Sequence, residues 1–423
     1  MVRCREAASN HEGVALSGGL AMKRIFAALV LILASIPALA QPIESFPAFL
    51  AGFEAKAVAA GVGREAYRAA TAGLTPDPQT PGLVSGQPEF TTPVWDYIDG
   101  RVTADRIARG QAAIQRNAAL FEAVGARYGV DPYLLAAIWG METDYGAVLS
   151  NSSLIRPVIR SLATVVHQRR SRLAEDEADF VAALKLVERG PLDRDTLVGS
   201  WAGAIGHLQV NPSNVLRHGT DGDGDGRIDL HNSLPDALAT SAVYLRGLGY
   251  KPGVDWGFEV TLPEGFDYLL ADRTQLRPVA FFAERGVSRV GNRQFANTSE
   301  PVFLYVPAGR DGPKFLMTAN YLVLKGYNFS DSYALSVAHM TDRLKGSGGF
   351  VDDWPRATRF PDLAERQAIQ QALKTLGLYD GDLDGRIGPI TQAAYARFQA
   401  SRGEVADGFI TRAAYEALMG ATR

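Results

Sequence analysis

The stretch DPYLLAAIWGMETDYG, Asp131 to Gly146, sets an acidic residue at the end of an otherwise apolar helix. Asp131 followed by Pro132 reads as an N-cap and first helical position: the short carboxylate accepts a free N–H of the first turn, and proline has none to satisfy. YLLAAIWGM then supplies good helix formers with apolar residues at helical spacing. Glu142 stands seven residues after Leu135 and four after Ile138, which puts its carboxylate on the buried face or at the rim of a cleft that the face walls. In such a cleft desolvation penalises the charged form and raises the pKa above the usual value of about 4.3. A proton held near neutral pH makes a general acid, as glycosidic bond cleavage requires when the leaving oxygen departs from an oxocarbenium-like sugar. The competing structural reading is an exposed Glu at a fraying helix end.

Two further stretches bear on chemistry. GSWAGAIGHLQVNPSN, Gly199 to Asn214, combines small residues that permit close backbone approach with the neutral hydrogen-bonding groups of Ser200, Gln209 and Asn211, which suit a sugar; close helix packing also wants small residues. DGDGDGRIDLHNSLPD places Asp221, Asp223 and Asp225 at positions one, three and five of an EF-hand-like loop, with Gly226 at the turn and the Arg227 carbonyl at position seven. A structural Ca²⁺ is expected there, and because Asn232 stands where a bidentate Glu is usual, Asp236 is expected to close the loop. The similar run Asp380, Asp382, Asp384 is followed by Gly388 and Pro389 without a closing carboxylate and reads as a turn.

The 423 residues, 47% hydrophobic and 21% charged, suffice for two or three domains, and the net charge of -3 gives no reason to expect nucleic acid or an anionic membrane as partner. MKRIFAALVLILASIPALA, residues 22–40, reads as a secretory signal peptide after an upstream extension, 1–21; its apolar run is too short for a membrane span. Cleavage would remove Cys4, the only cysteine, so the expected mature protein is periplasmic, without disulfides and not lipid-anchored. Helical texture dominates residues 41–345, interrupted at about 256–318 by short β-branched and aromatic runs that read as a small β insertion. Residues 346–361 read as a linker, and 362–423 as a small helical module with a weak internal repeat, DGRIGPITQAAYARF against DGFITRAAYEAL.

QPEFTTPVWDYIDGRVTADRIARG, GVDPYLLAAIWGMETDYG, SWAGAIGHLQVNPSN, DGDGDGRIDLHNSLPDALATSAVYL and ANYLVLKGYNFSDSYALSVA together resemble the lytic murein transglycosylase B family, over about Phe46 to Leu344. The resemblance implies a mainly α, lysozyme-like catalytic core and cleavage of the bond between N-acetylmuramic acid and N-acetylglucosamine in peptidoglycan, leaving a 1,6-anhydromuramyl end. It implies Glu142 as sole acid/base with no catalytic cofactor, Gln209 at the family's loop glutamine, and Ser200 as a polar neighbour of the glutamate. Tyr97, Tyr244, Tyr327, Asn328 and Tyr333 match positions lining the sugar cleft, and Arg169 and Arg170 match a substrate-contacting pair. Where the family usually has GQFMPSS this chain has HLQVNPSN, so His207, Val210, Asn211 and Asn214 are departures. The tail, with Gly381, Asp384, Gly385, Gly388, Pro389, Thr391, Ala394, Phe398 and Gln399, resembles a three-helix-type peptidoglycan-binding domain.

Two alternatives remain at this level: a muramidase that hydrolyses the same bond, and a catalytically silent, calcium-stabilised peptidoglycan-binding protein. Asp144 is the rival second carboxylate for hydrolysis, but residues two apart on a helix point about 200° apart. It therefore reads as a structural cap.

Overall fold

The helix Pro132–Thr143 begins as its sequence predicts, with the Asp131 carboxylate accepting the Tyr133 N–H at 2.9 Å and proline in the first turn. The structure, a computed structural model, describes residues 44–84, 92–151, 153–169, 172–190 and 192–422. Residues 1–21, read above as an extension, residues 22–40, read as a signal peptide, and Cys4 and Arg170 lie outside the described residues. Among the described residues no helix is long and apolar enough to cross a membrane.

The sequence predicted one buried face for Pro132–Thr143; the structure corrects this, since every residue from Leu134 to Thr143 is buried except Glu142. A helix apolar all round needs neighbours on all sides. Helices Ala104–Arg116, Ala118–Tyr128, Leu234–Gly247 and Asp331–Leu344 supply them. The helix stops because Asp144 and Tyr145 turn left-handed, with φ of 52° and 59°. The Tyr145 ring then folds back beside the helix, into space that glycine leaves: a Cβ at Gly140 would lie 2.5 Å from the Tyr145 Cζ.

Five short strands between Gly257 and Thr318 form one antiparallel sheet, in the order 277–278, 301–305, 314–318, 257–261, 288–289. Alternation along the strands decides its two faces. Val260, Val302, Leu304 and Leu316 close a small core with Phe282, while Phe303, Phe315 and Met317 join the main core.

The C-terminal helices Leu363–Thr375, Pro389–Ser401 and Arg412–Ala421 pack around Ile369, Leu373, Phe398 and Leu418. Their internal repeat has a physical basis. The buried Gln370 amide donates to the Asp384 carboxylate at 3.0 Å and accepts the Gly385 N–H at 2.7 Å, and Gln399 does the same for Asp407 and Gly408 at 3.1 and 2.8 Å. Each glutamine thus staples one Asp-Gly turn whose glycine has positive φ.

Residues 346–361 form neither helix nor strand and pack against the main helical body. Phe350 stacks on the buried His339 with centroids 4.1 Å apart, and Trp354 lies against Trp95. The buried Glu259 carboxylate accepts the N–H groups of Val351 and Asp352 at 2.8 Å each. Burial, then Arg343, lowers His339 to about 4, so its ring is neutral in this stack. The module itself docks on the sheet region: Asp407 accepts the Arg310 N–H at 3.0 Å, and Phe409 packs on Phe360.

Candidate active site

Glu142 is the half-buried residue in an otherwise buried stretch, and the Tyr333 hydroxyl donates to its Oε1 at 2.6 Å. Tyr333 sits in the first turn of helix Asp331–Leu344, whose N-cap Ser330 accepts the Tyr333 N–H at 3.2 Å. That cap sets the register which aims the ring at the glutamate. Burial, followed by the Glu142 charge, pushes the Tyr333 phenol well above its ordinary pKa, so it stays a hydrogen-bond donor.

Tyr327 is raised by the same two causes in the same order, which places it too in the field of Glu142. Its hydroxyl donates to the Leu208 carbonyl at 2.7 Å and lies 3.3 Å from the Ser241 hydroxyl. Tyr244 packs on Tyr327, with centroids 5.2 Å apart, and donates to the Gly326 carbonyl. Tyr97 is close enough to contribute to the shift of Tyr333. Tyr333 and Tyr327 thus face Glu142 directly, with Tyr97 beside the first and Tyr244 beside the second.

Gln209 carries a φ of 50°, rare for a residue with a side chain, and its amide nitrogen donates to the Gly206 carbonyl at 2.8 Å. Four of the five non-glycine residues with positive φ among the described residues are Asp144, Tyr145, Arg169 and Gln209. Strain of this kind persists only where surrounding structure over-determines it, and functional sites collect it. Ser200 closes the loop that precedes Gln209, its N–H donating to the Ala204 carbonyl at 2.8 Å and its hydroxyl accepting the Ala204 N–H at 3.2 Å. Asn328 ends helix Ala319–Tyr327, its side chain accepting the Ser330 N–H. Arg169 is exposed, and Arg170 lies outside the described residues.

Asp144 is held in ion pairs. Arg109 donates to both its oxygens at 2.8 and 3.0 Å, and Arg106 to Oδ1 at 3.1 Å. Burial acts to raise this carboxyl, but the hydrogen bonds from Arg109 and Arg106 outweigh it and hold the group below the usual carboxylate range.

The motif alone did not reveal what holds the glutamate's neighbours. Thr143 donates to the His207 carbonyl at 2.7 Å, the Trp139 indole N–H donates to His207 Nδ1 at 3.0 Å, and the His207 N–H donates to the Leu230 carbonyl at 2.9 Å. Burial, then His231, lowers His207 to about 4, consistent with a neutral ring that accepts from Trp139. The available signal was the departure of His207 from the family loop; its partners were not legible.

In the Asp-rich loop, Asp221, Asp223 and Asp236 each offer an oxygen within 4.8 Å of the others. Asp236 is buried and accepts the N–H groups of Gly222 and Asp229, which fixes it beneath the loop. Gly226 and Gly224 N–H groups hold Asp221 below the usual carboxylate range. Asp225 lies outside this convergent set, and its Oδ1 accepts the Arg227 N–H. Three hard oxygen donors, two on the loop and the buried Asp236 in the first turn of the helix that follows, suit a calcium-sized cation.

The fold is mainly helical and lysozyme-like, with Glu142 engaged by Tyr333 and Asp144 locked in ion pairs. The family model described as "Transglycosylase SLT domain" matches residues 45–342, and a peptidoglycan binding domain model matches 363–418. The chain belongs to the transglycosylase SLT family. It is 26% identical over 270 residues to the membrane-bound lytic murein transglycosylase B of Escherichia coli, an alignment spanning 62% of this chain and 70% of that protein. The solved structures of SltB3 from Pseudomonas aeruginosa with NAG-anhNAM-pentapeptide and with NAG-NAM-pentapeptide are 38% identical and superpose with a TM-score of 0.81, covering 89% of this chain and 100% of theirs.

Proposed function

We propose that this chain is a periplasmic lytic transglycosylase that cleaves the MurNAc–GlcNAc β-1,4 bond of peptidoglycan and leaves 1,6-anhydromuramyl ends, with Glu142 as its only acid and base. Family membership carries the activity and substrate class; one observation carries the mechanism, namely that Glu142 is engaged by Tyr333 while Asp144 is committed to two arginines. A hydrolytic pair needs a second free carboxylate or a substitute for it. Export is supported by the signal-like segment at 22–40.

In this mechanism Tyr333 occupies Oε1, so Oε2 carries the proton to the glycosidic oxygen as the C1–O bond breaks. The resulting carboxylate then removes the proton from the muramyl C6 hydroxyl, whose oxygen closes on C1. No water is consumed, and Glu142 ends as it began. Gln209, on its strained backbone, is the neutral group assigned to the developing charge, with the tyrosines forming the cleft wall. The test is mass spectrometry of cell-wall sacculi digested with the purified protein. Product ends one water lighter than reducing ends are expected; reducing ends would make the protein a muramidase, and no product a binding protein.

The same reading gives the Asp loop a calcium ion with Asp221, Asp223 and Asp236 as ligands. The ion would supply structure rather than chemistry: the loop runs on to Leu230, whose carbonyl receives His207, whose own carbonyl receives Thr143 beside Glu142. Native-state binding stabilises by about 2.7 kcal/mol at a hundredfold excess over Kd. The melting midpoint should therefore rise from chelator to millimolar calcium in wild type and not in an Asp221→Ala/Asp223→Ala variant. An equal rise in both, or none in wild type, would reduce the loop to a turn.

A further inference from the structure

His207 is one of the positions at which this chain departs from the family's usual loop, and its imidazole meets the catalytic helix and the turn after it, on either side of Glu142 in the chain. Three residues before the glutamate, the Trp139 indole N–H donates to His207 Nδ1 at 3.0 Å. Four residues after it, Gly146 turns with a φ of 88°, and a Cβ there would lie 2.9 Å from His207 Cε1, so the ring packs directly on that backbone. Between them, Thr143 donates to the His207 carbonyl at 2.7 Å and accepts the Gly146 N–H at 3.2 Å. Glu142 lies within the span that these contacts fix.

His207 also ties that span to the Gln209 loop. Its two chain neighbours offer their carbonyls to cleft side chains: Gly206 accepts the Gln209 amide at 2.8 Å, and Leu208 accepts the Tyr327 hydroxyl at 2.7 Å. A backbone carbonyl would serve Thr143 whatever residue stood at 207, but the indole is served by the side chain alone. Trp139 is only 5% exposed, and among the described residues its N–H has His207 Nδ1 as acceptor. A buried donor deprived of its acceptor carries the full cost of desolvation, which shifts its surroundings toward any substitute. Here those surroundings carry the glutamate. Accepting on Nδ1 places the ring proton on Nε2, the neutral tautomer.

We propose that the His207 imidazole is a positioning residue: by accepting the Trp139 indole N–H and bearing on Gly146, it holds the Glu142 carboxylate in register with Gln209 and Tyr327 for proton transfer. It acts through Trp139 and the helix end. The inference rests on the reading of Glu142 as acid and base, and it assigns what keeps that group aligned with the loop opposite it in the reaction. Alignment of this kind is exacting, since a misplacement of about 1 Å can cost about 10²-fold in rate.

The full-length protein and its variants should be assayed on soluble glycan strands. His207→Leu removes the acceptor, His207→Asn sets an amide oxygen near the place of Nδ1, and His207→Gln sets one nearer the place of Nε2. The value of kcat is expected to fall about 10- to 100-fold in His207→Leu and His207→Gln and to stay within about 3-fold of wild type in His207→Asn, with KM little changed throughout. The Trp139 indole N–H resonance of ¹⁵N-labelled protein should move upfield in the first two and hold in the third. Trp139→Phe deletes the donor instead, and its loss of kcat should not add to that of His207→Leu. Melting midpoints identify any variant that fails to fold; should His207→Leu fail, the contrast between His207→Asn and His207→Gln carries the test. Wild-type kcat in His207→Leu, equal kcat in the Asn and Gln variants, or a loss confined to KM or to the melting midpoint overturns the assignment. If wild type releases reducing ends the transglycosylase reading fails, and the same kcat comparison on hydrolysis decides the role of His207. If it releases no product, the ¹³C carboxyl resonance of Glu142 decides it: displacement in His207→Leu with recovery in His207→Asn sustains the positioning, and an unmoved resonance overturns it.

Discussion

Glu142→Gln is expected to abolish lysis of peptidoglycan while leaving the protein folded and able to bind it. One side chain serves both halves of the proposed reaction, so the amide removes the acid that frees the leaving oxygen and the base that activates the C6 hydroxyl. Losing general acid catalysis costs about 10²–10⁴-fold, and losing the base as well places the variant at or beyond the upper end. No neighbour substitutes, because Asp144 is held by Arg106 and Arg109. The fold should tolerate the change: a glutamine Oε1 still accepts from Tyr333, so that buried hydroxyl keeps its partner. Turnover on sacculi, with a melting curve alongside, makes the measurement. Near-normal turnover by a folded Glu142→Gln protein would remove the glutamate from the mechanism.

Cutting the chain after Gly346 is expected to destabilise the catalytic region severely, whereas cutting after Pro361 removes the module at much smaller cost. Reading residues 346–361 as a linker from the sequence suggests that the earlier cut should spare soluble-substrate cleavage; the packing argues otherwise. The earlier cut uncovers His339 and Trp95 by deleting Phe350 and Trp354, and strips the N–H donors from the buried Glu259 carboxylate. Truncating a core aromatic costs about 3–5 kcal/mol when fully buried, and an unsatisfied buried acceptor adds about 1–3. These aromatics are half-buried, so the total falls at several kcal/mol, a large share of ordinary domain stability. The later cut forfeits the Asp407–Arg310 bond, the Phe360–Phe409 contact and the Arg412–Arg359 backbone bond. Chemical denaturation of both truncations beside the full chain gives the comparison. Equal stability of the two would show that the segment is merely a tether. Binding to insoluble peptidoglycan should drop with either, since both lack the module and its avidity.

What could be read from the chain was local. The Asp131–Pro132 start, the Asp-Gly turns, the β-branched and aromatic runs of the sheet and the module's repeat all depend on residues a few positions apart, whose geometry the backbone periods dictate. The acidic loop was legible for the same reason, and Asp236, read from the sequence as its closing residue, lies with Asp221 and Asp223. Family resemblance named Tyr333 and Tyr327 as cleft residues, but not that one hydroxyl touches Glu142 from 191 residues away. Nor did spacing show what holds Asp144: its arginines come from a helix 35 to 38 residues earlier. The Trp139–His207–Thr143 contacts and the packed segment at 346–361 are of the same kind. Periodicity reveals which side chains share a face and carries no term for which distant face arrives opposite. That pairing is set by the closure of the whole core, where burial of all the helices together selects the contacts.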